Sequence, residues 1–210
     1  EILKKKFEML ARRFKVTLQV FLHNTTQPAG RGVGPLLETR EALRVLEQLP
    51  DRPLDLEEKG LTLAGMLLDM CLKDSPKKLR DQIQEEFGSG KAWATYILSS
   101  GHALKKMREI IAAQGGNSDI MSKDLLPGKF IYNVKSSQSG EVRDLNSKNL
   151  TIIAKILGAP KQKKSGIYLH KKSGEKVKDG EVILTLYSES EHNLEEAKDS
   201  LPNFPIFSFT

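Results

Sequence analysis

The chain has 210 residues, of which 39% are hydrophobic and 29% are charged, a composition that favours a folded chain over a disordered one. The formal net charge is +6, but acidic residues are interleaved with the lysines and no aromatic-rich motif accompanies them, so we expect no nucleic acid partner. No apolar run has the length of a bilayer span, so we also expect no membrane partner.

The first elements follow from their hydrophobic patterns. Apolar residues between Ile2 and Phe14 fall on one helical face, and the chain enters this pattern directly at Glu1, so we expect a C-terminal fragment of a longer protein. Residues 15–22 alternate between apolar and polar side chains, which predicts a strand. A helix is predicted over residues 36–48, stopped near Pro50.

Four more helices are predicted. The run 61–72 is apolar almost all round and predicts a buried helix, in which Cys71 is a small buried side chain. One cysteine cannot form an internal disulfide, which favours a reducing cytoplasm. Asp69 in this run is either a functional carboxylate or, as is commoner, a buried hydrogen-bonded one. The other three helices are predicted over residues 76–87, 89–99 and 102–114, each followed by glycine or a Ser-Gly pair.

The pattern changes after residue 117. Residues 118–128 are short and polar and end in Pro127-Gly128, which predicts a linker. Beyond them, short strands separated by glycine turns are predicted, with one short helix over residues 149–157. The predicted strands cover residues 130–134, 140–142, 167–170 and 182–187.

The stretch 24–35 is the most informative feature. Three glycines and two prolines within the eight residues 28–35 impose an unusual backbone path between the predicted strand and the helix after it. Such strand–loop–helix units often surround a ligand, although a tight turn shaped only for packing explains the pattern equally well. The stretch is neither a P-loop nor a dinucleotide fingerprint.

Three stretches together resemble the thymidine/pyrimidine-nucleoside phosphorylase family. Residues 27–41 are similar to its Gln-Pro-Leu/Ile-Gly-x-x-Val/Ile-Gly-x-x-Leu-Glu-x-x-Glu signature, and residues 107–117 to a helix that ends in Gln-Gly-Gly. Glycine-containing segments between residues 139 and 181 are similar to its C-terminal β domain. Gly34-Pro35, where many bacterial members have Gly-Asn, points to the branch of archaeal AMP phosphorylases and bacterial proteins called putative thymidine phosphorylases.

The resemblance implies an α+β fold. Residues 1–117 would be the C-terminal part of the α/β phosphorylase domain, with a strand and several helices. Residues 118–128 would be the linker, and residues 129–210 a small β-rich, barrel-sandwich-like domain. The full enzyme would be a cytoplasmic homo-oligomer.

The family activity would be reversible phosphorolysis of a pyrimidine nucleoside to the base and (deoxy)ribose 1-phosphate, a pentosyltransferase reaction. Its partners are a nucleoside or nucleotide and phosphate, the co-substrate, and no cofactor is required. AMP phosphorylase activity is the alternative. The family's phosphate loop and base-binding residues lie upstream of the signature, so we assign no catalytic or substrate-binding residue and expect this fragment alone to be inactive.

The resemblance also implies a monovalent cation, potassium, which some members of the family bind between the phosphate loop and the glycine-loop signature. By position its ligands would be the backbone carbonyls of Ala29 and Gly32 and the carboxylate of Glu41. Glu41 could instead only cap the loop or pair with Arg40 or Arg44. A rival interpretation of the whole chain is a non-catalytic barrel-sandwich binding or assembly module, because the glycine-punctuated segment 165–182 resembles biotinyl and lipoyl carriers. Their modified-lysine triplets are absent.

Overall fold

The computed structural model describes residues 1–210, which divide into two compact units. Unit 1 comprises residues 1–25 and 61–94, and unit 2 comprises residues 26–60 and 95–210. The helices are α1 (Ile2–Phe14), α2 (Pro35–Leu46), α3 (Leu54–Lys73), α4 (Lys77–Phe87), α5 (Gly90–Ser99), α6 (His102–Ala113), α7 (Ser147–Ile156) and α8 (Glu191–Ser200), with a 3-10 turn at Ser122–Asp124. The strands are β1 (Gly32–Val33), β2 (Phe130–Lys135), β3 (Gly140–Leu145), β4 (Gly166–Leu169), β5 (Lys176–Val177), β6 (Val182–Ser188) and β7 (Phe207–Phe209).

Unit 2 contains two antiparallel sheets. The four-stranded sheet has the order β1-β4-β6-β2, and the three-stranded sheet has the order β5-β3-β7. Strand β6 is central and mostly buried, and α8 packs against β2 and β6. The core between these elements is aliphatic and includes Leu157, Ile167, Leu169 and Leu186, each with 0% of its surface exposed. Residues 129–210, called the β-rich unit below, therefore have a hydrophobic core of their own.

The α+β fold class is confirmed, and apart from residues 15–22 the predicted helices and strands lie close to observed ones, although α3 begins at Leu54, seven residues before its predicted start. Gly88 and Gly101 adopt φ values of 74° and 81°, which end α4 and separate α5 from α6 as the sequence indicates. Helix α8, the strands β1, β5 and β7 and the 3-10 turn were not predicted. The predicted domain boundaries at 117 and 129 stay a prediction.

The strand predicted over residues 15–22 is wrong. Residues 16–24 adopt no regular secondary structure. Val16, Leu18 and Leu22 expose 61%, 40% and 54% of their surfaces. An alternating segment becomes a strand only when a neighbouring strand takes up its backbone hydrogen bonds, and this chain supplies none there.

The burial predicted for residues 61–72 is also wrong, although the segment is helical. Gly65 is the only buried residue of α3, Leu67 is 60% exposed, and Cys71 is exposed. An all-round apolar pattern predicts burial only where other elements cover every face of the helix, and here they do not.

Asp69 is hydrogen-bonded, as the commoner of its two interpretations predicted, but it is exposed and not buried. Its Oδ1 accepts a hydrogen bond from the backbone N–H of Gly90 at 2.8 Å, at the start of α5. A side chain at Gly65 would lie 2.7 Å from the backbone of Lys91, so the glycine permits this close approach within unit 1. The carboxylate therefore satisfies one of the free amides at a helix N-terminus.

Candidate functional site: the glycine loop

The glycine loop, residues 24–35, joins the edge of the four-stranded sheet. Gly32 and Val33 form β1 and pair antiparallel with Tyr168 and Ile167 of β4. The N–H of Leu169 extends this pairing by donating to the carbonyl of Arg31 at 2.8 Å. The loop predicted as a connection to the next helix is thus also an edge strand of the β-rich unit.

Helix α2 begins directly after the loop and supplies two carboxylates to it. Pro35 occupies the first helical turn, where its missing N–H costs nothing. Glu38 Oε1 accepts from the N–H of Gly34 at 3.0 Å. Glu41, only 2% exposed, accepts from the N–H of Arg31 at 2.9 and 3.0 Å and from the N–H of Gly32 at 2.9 Å.

The next amide upstream is held by a different carboxylate. The N–H of Gly30 donates to both oxygens of Asp55 at 3.3 Å, from the first turn of α3. Three successive loop amides, those of residues 30–32, are therefore satisfied by the carboxylates of Asp55 and Glu41. These hydrogen bonds fix the backbone conformation of the loop at residues 30–32.

Glycine is required at two positions of the loop. Gly30 has a φ of 77°, and a Cβ there would lie 2.4 Å from Glu41 Oε2. Gly34 has a φ of 119°, and a Cβ there would lie 2.6 Å from the carbonyl oxygen of Ser165. The first glycine lets a carboxylate approach the loop, and the second lets the loop approach the β-rich unit.

The turn between β4 and β5 binds the other side of the loop. Lys172 Nζ donates to the carbonyl of Pro28 at 2.8 Å and forms an ion pair with Asp55. The Arg31 guanidinium donates to Glu175 at 2.5 Å and to the carbonyl of His170 at 2.9 Å. In addition, the N–H of Ser173 donates to the side-chain oxygen of Gln27 at 2.9 Å.

These ion pairs shift the pKa values of their members. Burial tends to raise the pKa of Asp55, but the hydrogen bond and charge of Lys172 outweigh it, so the pKa lies below its ordinary value. Burial likewise tends to raise the pKa of Glu175, but the hydrogen bond and charge of Arg31 outweigh it, so this pKa is lowered too. The hydrogen bond from Arg31 to Glu175 raises the pKa of Arg31. All three groups are therefore charged at neutral pH.

Glu41 is buried without an ion pair. No lysine, arginine or histidine nitrogen lies within 4.0 Å of its carboxylate. Of the two arginines considered as partners, Arg44 lies 3.5 Å from Asp51, and Arg40 lies over the ring of Tyr168 at 5.7 Å. The capping alternative is therefore correct in that Glu41 binds loop amides, and the arginine pairing is not formed.

The three residues predicted to bind a cation line one cavity. Ala29, Gly32 and Glu41 border a space of ≈ 350 Å³ together with Glu38, Ala42 and Thr151. A second, more polar cavity of ≈ 430 Å³ contains Arg31, Asp55, Lys172 and Glu175 in its wall, and Glu41 borders it too. No group of three or more histidine, cysteine, aspartate or glutamate side chains is arranged to hold a metal ion.

Sequence reasoning missed Asp55, Lys172 and Glu175. Lys172 lies in a Lys-Lys pair beside a Ser-Gly turn, a pattern that usually indicates a solvated surface. Asp55 is in the first turn of a helix, where acidic residues are common for electrostatic reasons alone. Only the tertiary structure distinguishes them. It brings Asp55 into contact with Gly30, 25 positions away in the sequence, and Lys172 into contact with Pro28, 144 positions away.

The fold and this loop define a class, a β-rich domain joined to a glycine loop and helices, and comparison with known proteins shows what this class is similar to. Residues 141–204 match the family described as "Pyrimidine nucleoside phosphorylase C-terminal domain". The predicted resemblance to the thymidine/pyrimidine-nucleoside phosphorylases is therefore confirmed, and the similar proteins named below include both an AMP phosphorylase and a putative thymidine phosphorylase, as the predicted branch does.

Individual relatives match nearly the whole chain. The chain is 39% identical over 200 residues to the "Putative thymidine phosphorylase" of Legionella pneumophila (strain Paris), covering 95% of this chain and 36% of that protein. It is 40% identical over 188 residues to the "AMP phosphorylase" of Methanosarcina mazei, covering 90% and 35%. The "AMP phosphorylase 1" of Archaeoglobus fulgidus is 39% identical over 193 residues, covering 91% and 35%. The chain thus spans little more than a third of these relatives' lengths. No helix of the chain is long and apolar enough to cross a membrane.

Proposed function

We propose that this chain forms part of a thymidine phosphorylase-like pentosyltransferase that cleaves a pyrimidine nucleoside with phosphate. A phosphate oxygen forms a bond to C1′, the glycosidic bond breaks, and its electron pair leaves with the base, which takes up a proton. The observation that carries the proposal is the signature loop, whose amides 30–32 are held by Glu41 and Asp55. A loop fixed in advance needs no rearrangement when the substrate binds.

No residue of this chain is assigned a catalytic role. The side chains around the loop are engaged with one another: Arg31 with Glu175, Lys172 with Asp55, and Glu41 with loop amides. We therefore infer that residues 1–210 support the site of a complete homo-oligomeric enzyme and do not catalyse phosphorolysis alone.

Phosphorolysis of a nucleoside 5′-monophosphate is the second candidate. The Methanosarcina mazei relative named "AMP phosphorylase" is as similar to this chain as the one named "Putative thymidine phosphorylase", at 40% and 39% identity. The two reactions share the bond that is broken and differ in the base and in the 5′-phosphate that the site must accept.

We also propose that a monovalent cation, potassium, binds at Ala29, Gly32 and Glu41. A buried carboxylate without a counter-charge is costly, and Glu41 has only neutral amide donors. Each carboxylate oxygen can accept more than one contact, so the amide bonds leave capacity for a cation. Backbone carbonyls and a carboxylate are the oxygen ligands that a hard cation prefers.

A chimera tests the function. The matched 200 residues of the Legionella relative are replaced by those of this chain, and phosphate-dependent base release is measured with thymidine, uridine, cytidine, AMP and CMP. We expect base release from the chimera and none from the 210-residue chain. Activity of the 210-residue chain would show that its catalytic residues were overlooked. A chimera that melts like the unmodified relative yet is inactive, while that relative is active, would refute the proposal. Inactivity of both the chimera and the unmodified relative would favour the non-catalytic binding module.

The cation is tested on the 210-residue chain itself. Potassium chloride is compared with tetramethylammonium chloride at equal ionic strength, and the midpoint of urea unfolding is measured. A ligand that binds only the folded state raises this midpoint. We expect potassium to raise it for the unmodified chain and not for Glu41→Gln, and an equal response of both would refute the site.

A further inference from the structure

Among the charged residues to which neither the proposed reaction nor the proposed cation site assigns a role, Lys172 is the most deeply buried. Only 7% of the residue is exposed, and it lies in the turn between β4 and β5. A buried ammonium is tolerated when its donors are satisfied and its charge is paired. Lys172 meets both conditions with atoms outside its own turn, namely the carbonyl of Pro28 and the carboxylate of Asp55.

The neighbouring Lys171 shows that this placement is specific. Lys171 Nζ pairs with Glu181 at 2.7 Å and donates to the carbonyl of Lys176 at 2.7 Å, so its contacts remain within the β-rich segment. Two adjacent lysines thus make the same kinds of bond, but only one of them reaches the glycine loop.

The contacts of Lys172 continue into the loop backbone. Asp55, its ion-pair partner, accepts the N–H of Gly30 through both oxygens. The N–H of Lys172 itself donates to Glu175 at 2.9 Å, and Glu175 holds the side chain of Arg31. Lys172 therefore acts on the residues on both sides of Ala29, one of the proposed cation ligands.

We propose that Lys172 is a positioning residue: through Pro28 and Asp55 it fixes the glycine loop in the conformation that phosphorolysis requires. This role rests on the proposed function. It makes the β-rich unit a determinant of the geometry of the loop. When Lys172 is replaced, Asp55 loses its counter-charge and the carbonyl of Pro28 loses its donor, while the sheet pairing of β4 with β6 stays intact.

Amide hydrogen exchange of the 210-residue chain, followed by NMR, tests the structural step. The variants are Lys172→Met, which keeps the aliphatic stem, and Lys171→Met as the matched control. Because hydrogen bonds to charged groups are the stronger ones, we expect exchange at Gly30 to become about ten-fold faster in Lys172→Met. Exchange at Leu184 and Leu186 in β6 should stay unchanged, and Lys171→Met should leave Gly30 unchanged.

Two results would overturn this step. One is unchanged exchange at Gly30 in Lys172→Met. The other is an equal acceleration at Gly30 and throughout β6, which would indicate a role in global stability alone. Should Lys172→Met fail to fold, Asp55→Asn answers the same question, because it removes the ion pair and keeps an acceptor for Gly30. We expect Lys172→Arg to restore part of the protection.

The same substitutions in the chimera test the functional step. We expect Lys172→Met to lower kcat/KM about ten-fold, with partial rescue by Lys172→Arg, and Lys171→Met to leave it unchanged. If Gly30 is loosened but kcat/KM is unaltered, the positioning role is refuted. If a folded chimera with the native Lys172 is inactive while the relative is active, the proposed function fails instead, and the exchange data still report whether Lys172 holds the loop.

Discussion

Replacement of Glu41 is the most direct test of how the glycine loop is held. The Glu41→Ala variant removes the side-chain acceptor for the partly buried amide of Arg31 and for the buried amide of Gly32. Hydrogen bonds to charged groups contribute about 1.5–3 kcal/mol each, so two amides correspond to about 3–6 kcal/mol. Removal of an unpaired buried carboxylate offsets part of this loss, so we expect about 3 kcal/mol.

The assay is urea unfolding followed by the near-ultraviolet signal of the tyrosines. All four tyrosines lie in unit 2, which contains Glu41, whereas the single Trp93 lies in unit 1. With a denaturant dependence of about 1–3 kcal/mol per molar urea, the expected loss lowers the midpoint by roughly 1 M or more. The urea midpoint of Glu41→Gln should lie between those of the unmodified chain and Glu41→Ala. The glutamine oxygen can still accept from a loop N–H, but its amide nitrogen cannot. Glu85→Ala, at an exposed position of α4, is the control. Equal midpoints for Glu41→Ala and Glu85→Ala would refute the reasoning.

Three further predictions concern the loop, its ion pairs and α3. Gly30→Ala should destabilise the chain by more than about 1 kcal/mol in urea unfolding, because a left-handed φ disfavours alanine and the new Cβ would contact Glu41. Gly60→Ala, with open space around it, is the control and should be neutral or stabilising. The lowered pKa values of Asp55 and Glu175 stabilise the folded chain fully at pH values above the ordinary carboxyl range. This stabilisation is lost as pH falls from about 5 through the folded-state pKa values, so the urea midpoint should drop in that range. The drop should be smaller in the Asp55→Asn/Glu175→Gln double variant. Cys71 should react fully with a thiol reagent without denaturant, and reaction only after unfolding would contradict its exposure.

Local signals in the sequence predicted the elements whose ends are marked by glycine. Gly88 and Gly101 take left-handed conformations that most residues avoid, so helix ends at these positions can be predicted without tertiary information. The strand predicted over residues 15–22 and the burial of α3 failed for the opposite reason. Pattern specifies which face is apolar, but a strand needs a partner and a buried helix needs a cover, and neither is encoded locally.

The candidate site divides in the same way. The residues within the signature, Ala29, Gly32 and Glu41, were assigned from the family resemblance, and they do line one cavity, whereas cation binding itself stays a prediction. Lys171 and Lys172 are identical in type and adjacent, yet one pairs within the β-rich segment and the other reaches the glycine loop. A difference that depends on the direction of a turn cannot be inferred from neighbouring residues in the sequence.

The spacing Glu38-x-x-Glu41 has a physical explanation in this fold. Residues three apart lie on the same face of a helix, so both carboxylates of α2 turn back toward the loop that precedes it. Glu38 caps the amide of Gly34, and Glu41 reaches past it to Arg31 and Gly32, which is possible because Gly30 has no side chain. Helix α2 thus supplies the acceptors for the amides of residues 31, 32 and 34. The amide of Gly30 depends instead on Asp55, whose charge is balanced by Lys172. Loss of Glu41 should therefore loosen residues 31 and 32, and loss of Lys172 should loosen residue 30, so residue-specific exchange separates the contribution of α2 from that of the β-rich unit.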